Sequence, residues 1–101
     1  MVVGLLRITL HLPENGSLKG KRKVVKSLIG RIQSRFNASV AEVEDNDLWQ
    51  RAVLGAAVVG NDQRFVNSVL DKILDYAERE TEAQVIDSRM DIQSALSDGG
   101  V

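Results

Sequence analysis

Residues 52–59 read AVLGAAVV, and this stretch decides the fold. It carries no polar side chain, whereas a strand with one solvated face alternates between apolar and polar residues. Such a run, closed by Gly60-Asn61-Asp62, is typical of a strand in the middle of a sheet. The sequence therefore predicts a sheet that continues on both sides of residues 52–59.

The sequence before this stretch predicts a strand, a helix and a second strand. Residues 2–12 alternate in polarity, as a half-buried strand requires. Ser17 is a suitable N-cap for a helix whose apolar stripe extends to Phe36. Residues 39–44 (SVAEVE) predict a short strand, and the polar turn at 45–47 leads from it towards the central strand.

The sequence after this stretch predicts a helix and a last strand. Asp62 can cap a helix with its apolar stripe from Phe65 to Ala77. Residues 83–92 predict a strand with Val85 on one face and Ile86, Met90 and Ile92 on the other. The element order predicts an α+β fold, a ferredoxin-like βαββαβ sandwich with a four-stranded antiparallel sheet and two helices on one face. We expect a single domain over 1–92 and a disordered tail over 93–101.

Composition restricts the class of protein. A chain of 101 residues forms one domain. The absence of cysteine excludes a disulfide framework, thiolate zinc sites and iron–sulfur clusters, and it fits a cytoplasmic location. No apolar run approaches the roughly 18–20 residues that span a bilayer, and the opening segment lacks the basic start of a signal peptide. We therefore expect a cytoplasmic protein without a membrane partner.

Charge is distributed unevenly along the chain. Residues 15–41 hold seven basic and no acidic residues (+7), while the rest holds six basic and fourteen acidic residues (−8). Five of these cations lie at the predicted start of the first helix: Lys19, Lys21, Arg22, Lys23 and Lys26. Proteins usually place acids there, since each cation near the positive end of the dipole is unfavourable by about 0.3–1 kcal/mol. The cluster predicts a site for an anion or for nucleic-acid phosphates; alternatively, it is a solvated face balanced by the acidic second helix.

The sheet face without helices must meet water, a ligand or another subunit. Its central strand has no aromatic residue, so RNA recognition by base stacking on the sheet is excluded. A bare face of small apolar residues favours a homodimer. We expect Trp49 to anchor the hairpin or this interface, and His11 to lie at the surface or in the interface. His11 is the only histidine and has no second histidine or cysteine for a metal site.

Catalytic patterns are missing from the sequence. It contains no Ser-His-Asp set and no glycine-rich phosphate loop. The acidic residues around 42–47 lie on a strand end and a turn without an obvious pocket. Acylphosphatases share the element order, but their first loop carries an arginine cradle, where this chain reads PENGSLKGKR. We therefore expect neither an enzyme nor a cofactor.

Three separated motifs resemble one family: SLKGKR (17–22), RFNASVAEVED (35–45) and DLWQRAVLGAAVV (47–59). Over Val2 to Ile92 the chain resembles the YlxP-like family of uncharacterised bacterial proteins. The resemblance implies a ferredoxin-like fold in the bacterial cytoplasm. In some bacteria relatives are encoded among translation and ribosome-maturation factors, which implies work on RNA or the ribosome. Family members usually carry an acid where this chain has Gly20, and this glycine is expected to delay the helix start by a turn.

Taken together, these patterns predict a small dimeric binding protein that holds RNA phosphates at the start of its first helix. The interaction would be electrostatic, with little reading of bases. Two alternatives remain from the sequence. The basic helix could dock an acidic protein partner, or the dimer interface could form a small-molecule sensor.

Overall fold

The sheet consists of four strands, each antiparallel to its neighbours. The computed structural model describes residues 1–96. In chain order the elements are β1 Val2–His11, α1 Leu18–Arg35, β2 Ser39–Glu44, β3 Arg51–Gly60, α2 Gln63–Glu80 and β4 Gln84–Ser94. The strand order is β2-β3-β1-β4, so the first and third strands are central. The predicted ferredoxin-like fold is confirmed.

The core lies between the sheet and its two helices. Alternate residues of β1 point into it, including Leu6, Ile8 and Leu10, which are at most 1% exposed. Helix α1 adds Val25, Leu28 and Ile32, and α2 adds Val66, Leu70 and Ile73. Within the described residues, neither helix is long and apolar enough to cross a membrane. Along each strand, the residues that alternate with these core residues point to the side of the sheet without helices. We name this side the open face.

A β-bulge in β4 changes which residues face the core. Thr9 pairs with Asp87 and Leu10 with Val85, so Ile86 is an extra residue between them. The bulge puts Val85 on the same face as Met90, which pairs with Leu6. The expectation that these two side chains lie on opposite faces is therefore wrong, because simple alternation counts no extra residue.

Helix α2 packs directly against the sheet at Gly4. A methyl group at this position would overlap Cγ1 of Val66 and would lie 2.9 Å from Cδ1 of Leu70. Protein interiors are packed too densely to absorb such an overlap without movement. Gly4 therefore sets the distance between α2 and the middle of the sheet.

The last strand continues beyond the predicted end of the domain. Gln93 pairs with Val3 and Ser94 with Val2, and the amide of Ala95 donates to the carbonyl of Met1 at 2.8 Å. The expectation of a disordered tail from residue 93 is wrong for these residues, because β1 offers them backbone partners. Residues 97–101 of the predicted tail lie outside the described residues.

Candidate nucleic-acid interface

Helix α1 begins as the sequence predicts, with Ser17 as its N-cap. Ser17 Oγ accepts a hydrogen bond from the amide of Gly20 at 3.0 Å, which satisfies one of the free amides of the first turn. No acidic residue lies in that turn. The positive end of the helix dipole therefore has no carboxylate from its own helix beside it.

Gly20 makes room for the side chain of Asn15. Helix α1 begins at Leu18, two residues before Gly20, so the expected delay of the helix start is wrong. A methyl group at Gly20 would overlap Oδ1 of Asn15. The Asn15 carboxamide donates through Nδ2 to the carbonyl oxygens of Ser17 and Trp49. Gly20 thus allows Asn15 to join the segment before α1 to the connection between β2 and β3.

Four of the five predicted cations form an exposed row on the first turns of α1. We name this row the basic stripe: Lys19, Arg22, Lys23 and Lys26. At a rise of 1.5 Å per residue the stripe extends about 10 Å along the helix axis. Ion pairs among residues 1–96 use other cations, namely Arg7, Lys21 and Arg51. Within that part of the chain the stripe has no carboxylate partner.

Lys21, the fifth cation of the predicted cluster, is buried. Its side chain is 0% exposed, its Nζ lies 2.8 Å from Oε2 of Glu42, and it donates to the carbonyl oxygen of Asp45. A neutralised ammonium group away from water does not contact a phosphate at the surface, so the placement of Lys21 in the anion site is wrong. The spacing along the helix indicates this burial. Lys21 precedes the buried Val25 by four residues and Leu28 by seven, so the three side chains share one face of α1.

The two remaining cations of the basic segment contact α2 instead of joining the stripe. Arg31 Nη1 donates to the carbonyl oxygen of Glu80 at 2.9 Å. The Arg35 guanidinium lies over the ring of Tyr76, 5.0 Å from its centroid, as in a cation–π contact. These contacts hold the C-terminal half of α1 against α2. The available positive charge is therefore concentrated in the N-terminal half.

The stripe lies on an end of α1 that is tied to the β2–β3 connection. Nε2 of Gln50 donates to the carbonyl oxygens of Pro13 and Asn15, at 3.3 and 3.2 Å. The amide of Leu12 donates to the carbonyl oxygen of Gln50 at 2.9 Å. Sequence reasoning missed Asn15 and Gln50, because their partners are more than thirty residues away and no local pattern marks them.

A groove of about 660 Å³ lies on one flank of the stripe. Its lining includes Lys23, Ser27 and Arg31 of α1, together with Glu14 and Glu82. The two carboxylates make this groove unfavourable for a polyanion. Phosphate contacts are therefore expected on the outward surface of the stripe and not inside the groove.

The two residues predicted for an interface lie near the same end of the sheet. His11 belongs to the open face, and its Nδ1 lies 3.2 Å from the carbonyl oxygen of Gln50. Trp49 lies in the β2–β3 connection with 54% of its surface exposed. Among the described residues, no three metal-binding side chains lie together. An interface role for His11 and Trp49 stays a prediction.

The fold and the basic stripe define a small ferredoxin-like α+β domain with a cationic helix on its surface. A family model described as "Protein of unknown function (DUF503)" matches residues 3–90. The chain belongs to this family, in agreement with the resemblance carried by its three motifs. The chain is also similar to "Uncharacterized protein YlxP" of Bacillus subtilis (strain 168), with 33% identity over 73 residues. That match covers 72% of this chain and 79% of the relative.

Solved structures show weaker likenesses. A de novo designed protein, Ferredog-Diesel, has a TM-score of 0.41 at 10% identity, covering 91% of this chain and 84% of its own. A variant of SnoaB, a cofactor-independent oxygenase from Streptomyces nogalater, has a TM-score of 0.45 at 16% identity. That match covers 95% of this chain and 93% of the SnoaB chain.

Proposed function

We propose that this chain binds RNA through the basic stripe, in the bacterial cytoplasm and without catalysing a reaction. The observation that carries the proposal is a row of four exposed cations without an ion-pair partner among residues 1–96, on a helix that has no acidic residue. When cationic side chains contact RNA phosphates, they release counterions that had condensed on the RNA. This release favours binding whatever the RNA sequence is. The resemblance to relatives encoded among translation and ribosome-maturation factors favours RNA, including the ribosome, as the polyanion.

The stripe fits contacts to phosphates better than contacts to bases. A row about 10 Å long matches a few phosphates of one strand. Base stacking needs aromatic side chains beside the cations, and none of residues 18–35 is aromatic. The proposed interaction therefore positions the protein on an RNA backbone without reading its sequence.

Salt dependence is the first test of this mechanism. Four phosphate contacts give a slope of about −2.8 for the logarithm of affinity against the logarithm of salt on single strands. Affinity for a labelled single-stranded RNA is then expected to fall roughly 50-fold between about 50 and about 200 mM salt. Fluorescence anisotropy measures this directly. An affinity that ignores salt contradicts the proposal.

Charge reversal is the second test. The double variant Lys19→Glu/Lys23→Glu removes two contacts, so the magnitude of the slope is expected to decrease by about 1.4 on single-stranded RNA. The matched control is Arg64→Glu/Lys72→Glu, which changes net charge equally at two exposed positions of α2. Its slope is expected to stay at the wild-type value. An equal effect of the two double variants would mean that net charge, and not the stripe, governs binding.

The alternative role, docking of an acidic protein, has a different outcome. The protein is purified from its native host at low salt and then treated with nuclease. Molecules that are bound to it only through RNA are expected to be lost. A protein that stays bound, and that is released by Lys19→Glu/Lys23→Glu but not by the α2 control, replaces RNA as the partner.

A further inference from the structure

Across its middle, the open face has two halves that differ in side-chain size. Long side chains project from β1 and β4: Leu5, Arg7, Arg89 and Asp91. Small residues line β2 and β3: Ser39, Ala41, Gly55 and Ala57. We name these the raised half and the hollow half. A groove of about 820 Å³ runs between them over the sheet.

Apolar side chains of the open face remain in contact with water. Leu5 is 43% exposed in the raised half, and Val59 is 62% exposed at the end of β3. Val43 lies against Gly55, where an added Cβ would be 3.0 Å from Cγ1 of Val43, and it is still 52% exposed. Exposed apolar side chains that adjoin one another mark a surface that gains free energy when it is covered.

One cation of the open face lacks an ion pair within residues 1–96, and a second surface can supply one. Arg7 and Arg89 lie directly opposite each other on β1 and β4, and like charges in this position are destabilising. Arg7 forms an ion pair with Glu44. Arg89 forms none among residues 1–96, and the Glu44 side chain is 53% exposed at the rim of the hollow half. The raised half also carries Asp91, but Arg89 has no ion pair within residues 1–96, so a carboxylate from a second surface can still partner it.

We propose that the open face binds a second copy of this chain through a two-fold axis parallel to the strands. This axis places the raised half of each copy over the hollow half of the other, since rotation exchanges the β4 side for the β2 side. Leu5 then packs against the partner's Ala57. Arg89 reaches the β2 edge of its neighbour, where the partner's Glu44 is exposed. Each subunit supplies both a raised half and a hollow half to the interface, as two-fold symmetry requires.

The size of the face agrees with this arrangement. Each strand residue covers about 16 Å² of sheet, so the four strands span roughly 600 Å² in projection. The accessible area of a corrugated face exceeds its projection, and a stable dimer buries about 800 Å² per partner. The helices form the outer layers of the resulting assembly, so both basic stripes stay in water. The dimer and the RNA proposal therefore succeed or fail separately.

Sedimentation equilibrium tests the association. Interfaces of this size have dissociation constants of roughly micromolar or tighter, so a sample at about 100 µM is sufficient. We expect a mass twice the 11.1 kDa of one chain. Ala57→Lys places a charge in the hollow half and is expected to give a monomer, while Asn67→Lys on the exposed side of α2 stays dimeric. A monomeric wild type, or a dimeric Ala57→Lys variant, overturns the proposal.

Cross-linking tests the two-fold arrangement itself, since the chain has no cysteine of its own. Ser39 and Asp91 lie on opposite edges of one sheet, about 14 Å apart at three strand spacings. In the proposed dimer each faces the other across the interface. A short bis-maleimide is expected to give covalent dimers with Ser39→Cys/Asp91→Cys and few with either single variant. Equal yields from the single variants, or no covalent dimer from the pair, overturn this arrangement.

Discussion

Lys21 Nζ lies 2.8 Å from Oε2 of Glu42, in an ion pair that joins α1 to the edge strand β2. The lysine is completely buried, and only 15% of the glutamate side chain is exposed. Within residues 1–96, no other group donates a hydrogen bond to this Glu42 oxygen, so Lys21 is its charged partner. Because the ammonium group also donates to the carbonyl of Asp45, one side chain holds the helix to both β2 and its following turn.

Removal of one partner of this pair is expected to destabilise the fold. Lys21→Ala leaves the Glu42 carboxylate in a poorly hydrated position, which costs about 3 kcal/mol, the lower end of values for a broken buried pair. The double variant Lys21→Met/Glu42→Leu is expected to lie close to wild type, because apolar replacements of buried pairs are often neutral. Urea unfolding measures both. Equal losses in the single and double variants would contradict a buried ion pair.

The same double variant separates stability from RNA binding. Since Lys21 is not in the basic stripe, Lys21→Met/Glu42→Leu is expected to bind single-stranded RNA with the wild-type salt slope. Lys23→Met, in contrast, is expected to decrease the magnitude of the slope by about 0.7. Anisotropy titrations at several salt concentrations compare the two. If the salt slope of the Lys21 variant decreased as much as that of Lys23→Met, Lys21 would have to belong to the anion site.

Gly20→Ala is expected to destabilise the protein, although alanine is the better helix former. In a helix interior this change normally gains about 0.5–1 kcal/mol. Here the new methyl group overlaps Oδ1 of Asn15 and displaces that side chain from its partners. In an Asn15→Ala background the sign is expected to reverse, so that Gly20→Ala raises the melting temperature. A stabilising Gly20→Ala in the wild-type background would rule out the contact.

Gly4→Ala is expected to destabilise the protein by overpacking between β1 and α2. The overlap with Val66 Cγ1 corresponds to a loss of about 1–3 kcal/mol. Val66→Ala removes the overlapping atom, so Gly4→Ala should cost less in that background. The control is Gly30→Ala, where nothing lies within 4 Å of the added Cβ and helix propensity predicts a small gain. Equal effects at Gly4 in both backgrounds would show that no close contact exists there.

Periodicity predicted the fold, and it did not predict the irregular positions. The apolar run at 52–59, the two helical stripes and the strand patterns at 2–12, 39–44 and 83–92 together predict six elements in the right order. The bulge at Ile86 was not visible, because a bulge depends on pairing with β1 and leaves the local composition unchanged. The predicted end of β4 is too early for a similar reason. The polar residues 93 and 94 pair with the first residues of β1, and no local pattern in the sequence marks this pairing.

The site was predicted in part. Counting charges found the cluster at the start of α1, but a count along the chain does not separate the faces of a helix. Lys21 belongs to the buried face by its spacing to Val25, and its partner Glu42 follows Val40 with strand periodicity. The roles of Asn15 and Gln50 depend on contacts between distant segments, so no local pattern contained them.

The hydrogen bonds between the segment before α1 and the β2–β3 connection affect the thermodynamics of any encounter with a polyanion. The main chain beneath the four cations is already ordered in the free protein, so only the lysine and arginine side chains lose freedom, at most about 2 kcal/mol each. An unstructured basic peptide of equal charge would lose a further 1–2 kcal/mol or so for every backbone unit it immobilised. The domain therefore presents flexible charged side chains on a rigid backbone, and these side chains can adjust to a polyanion of variable conformation.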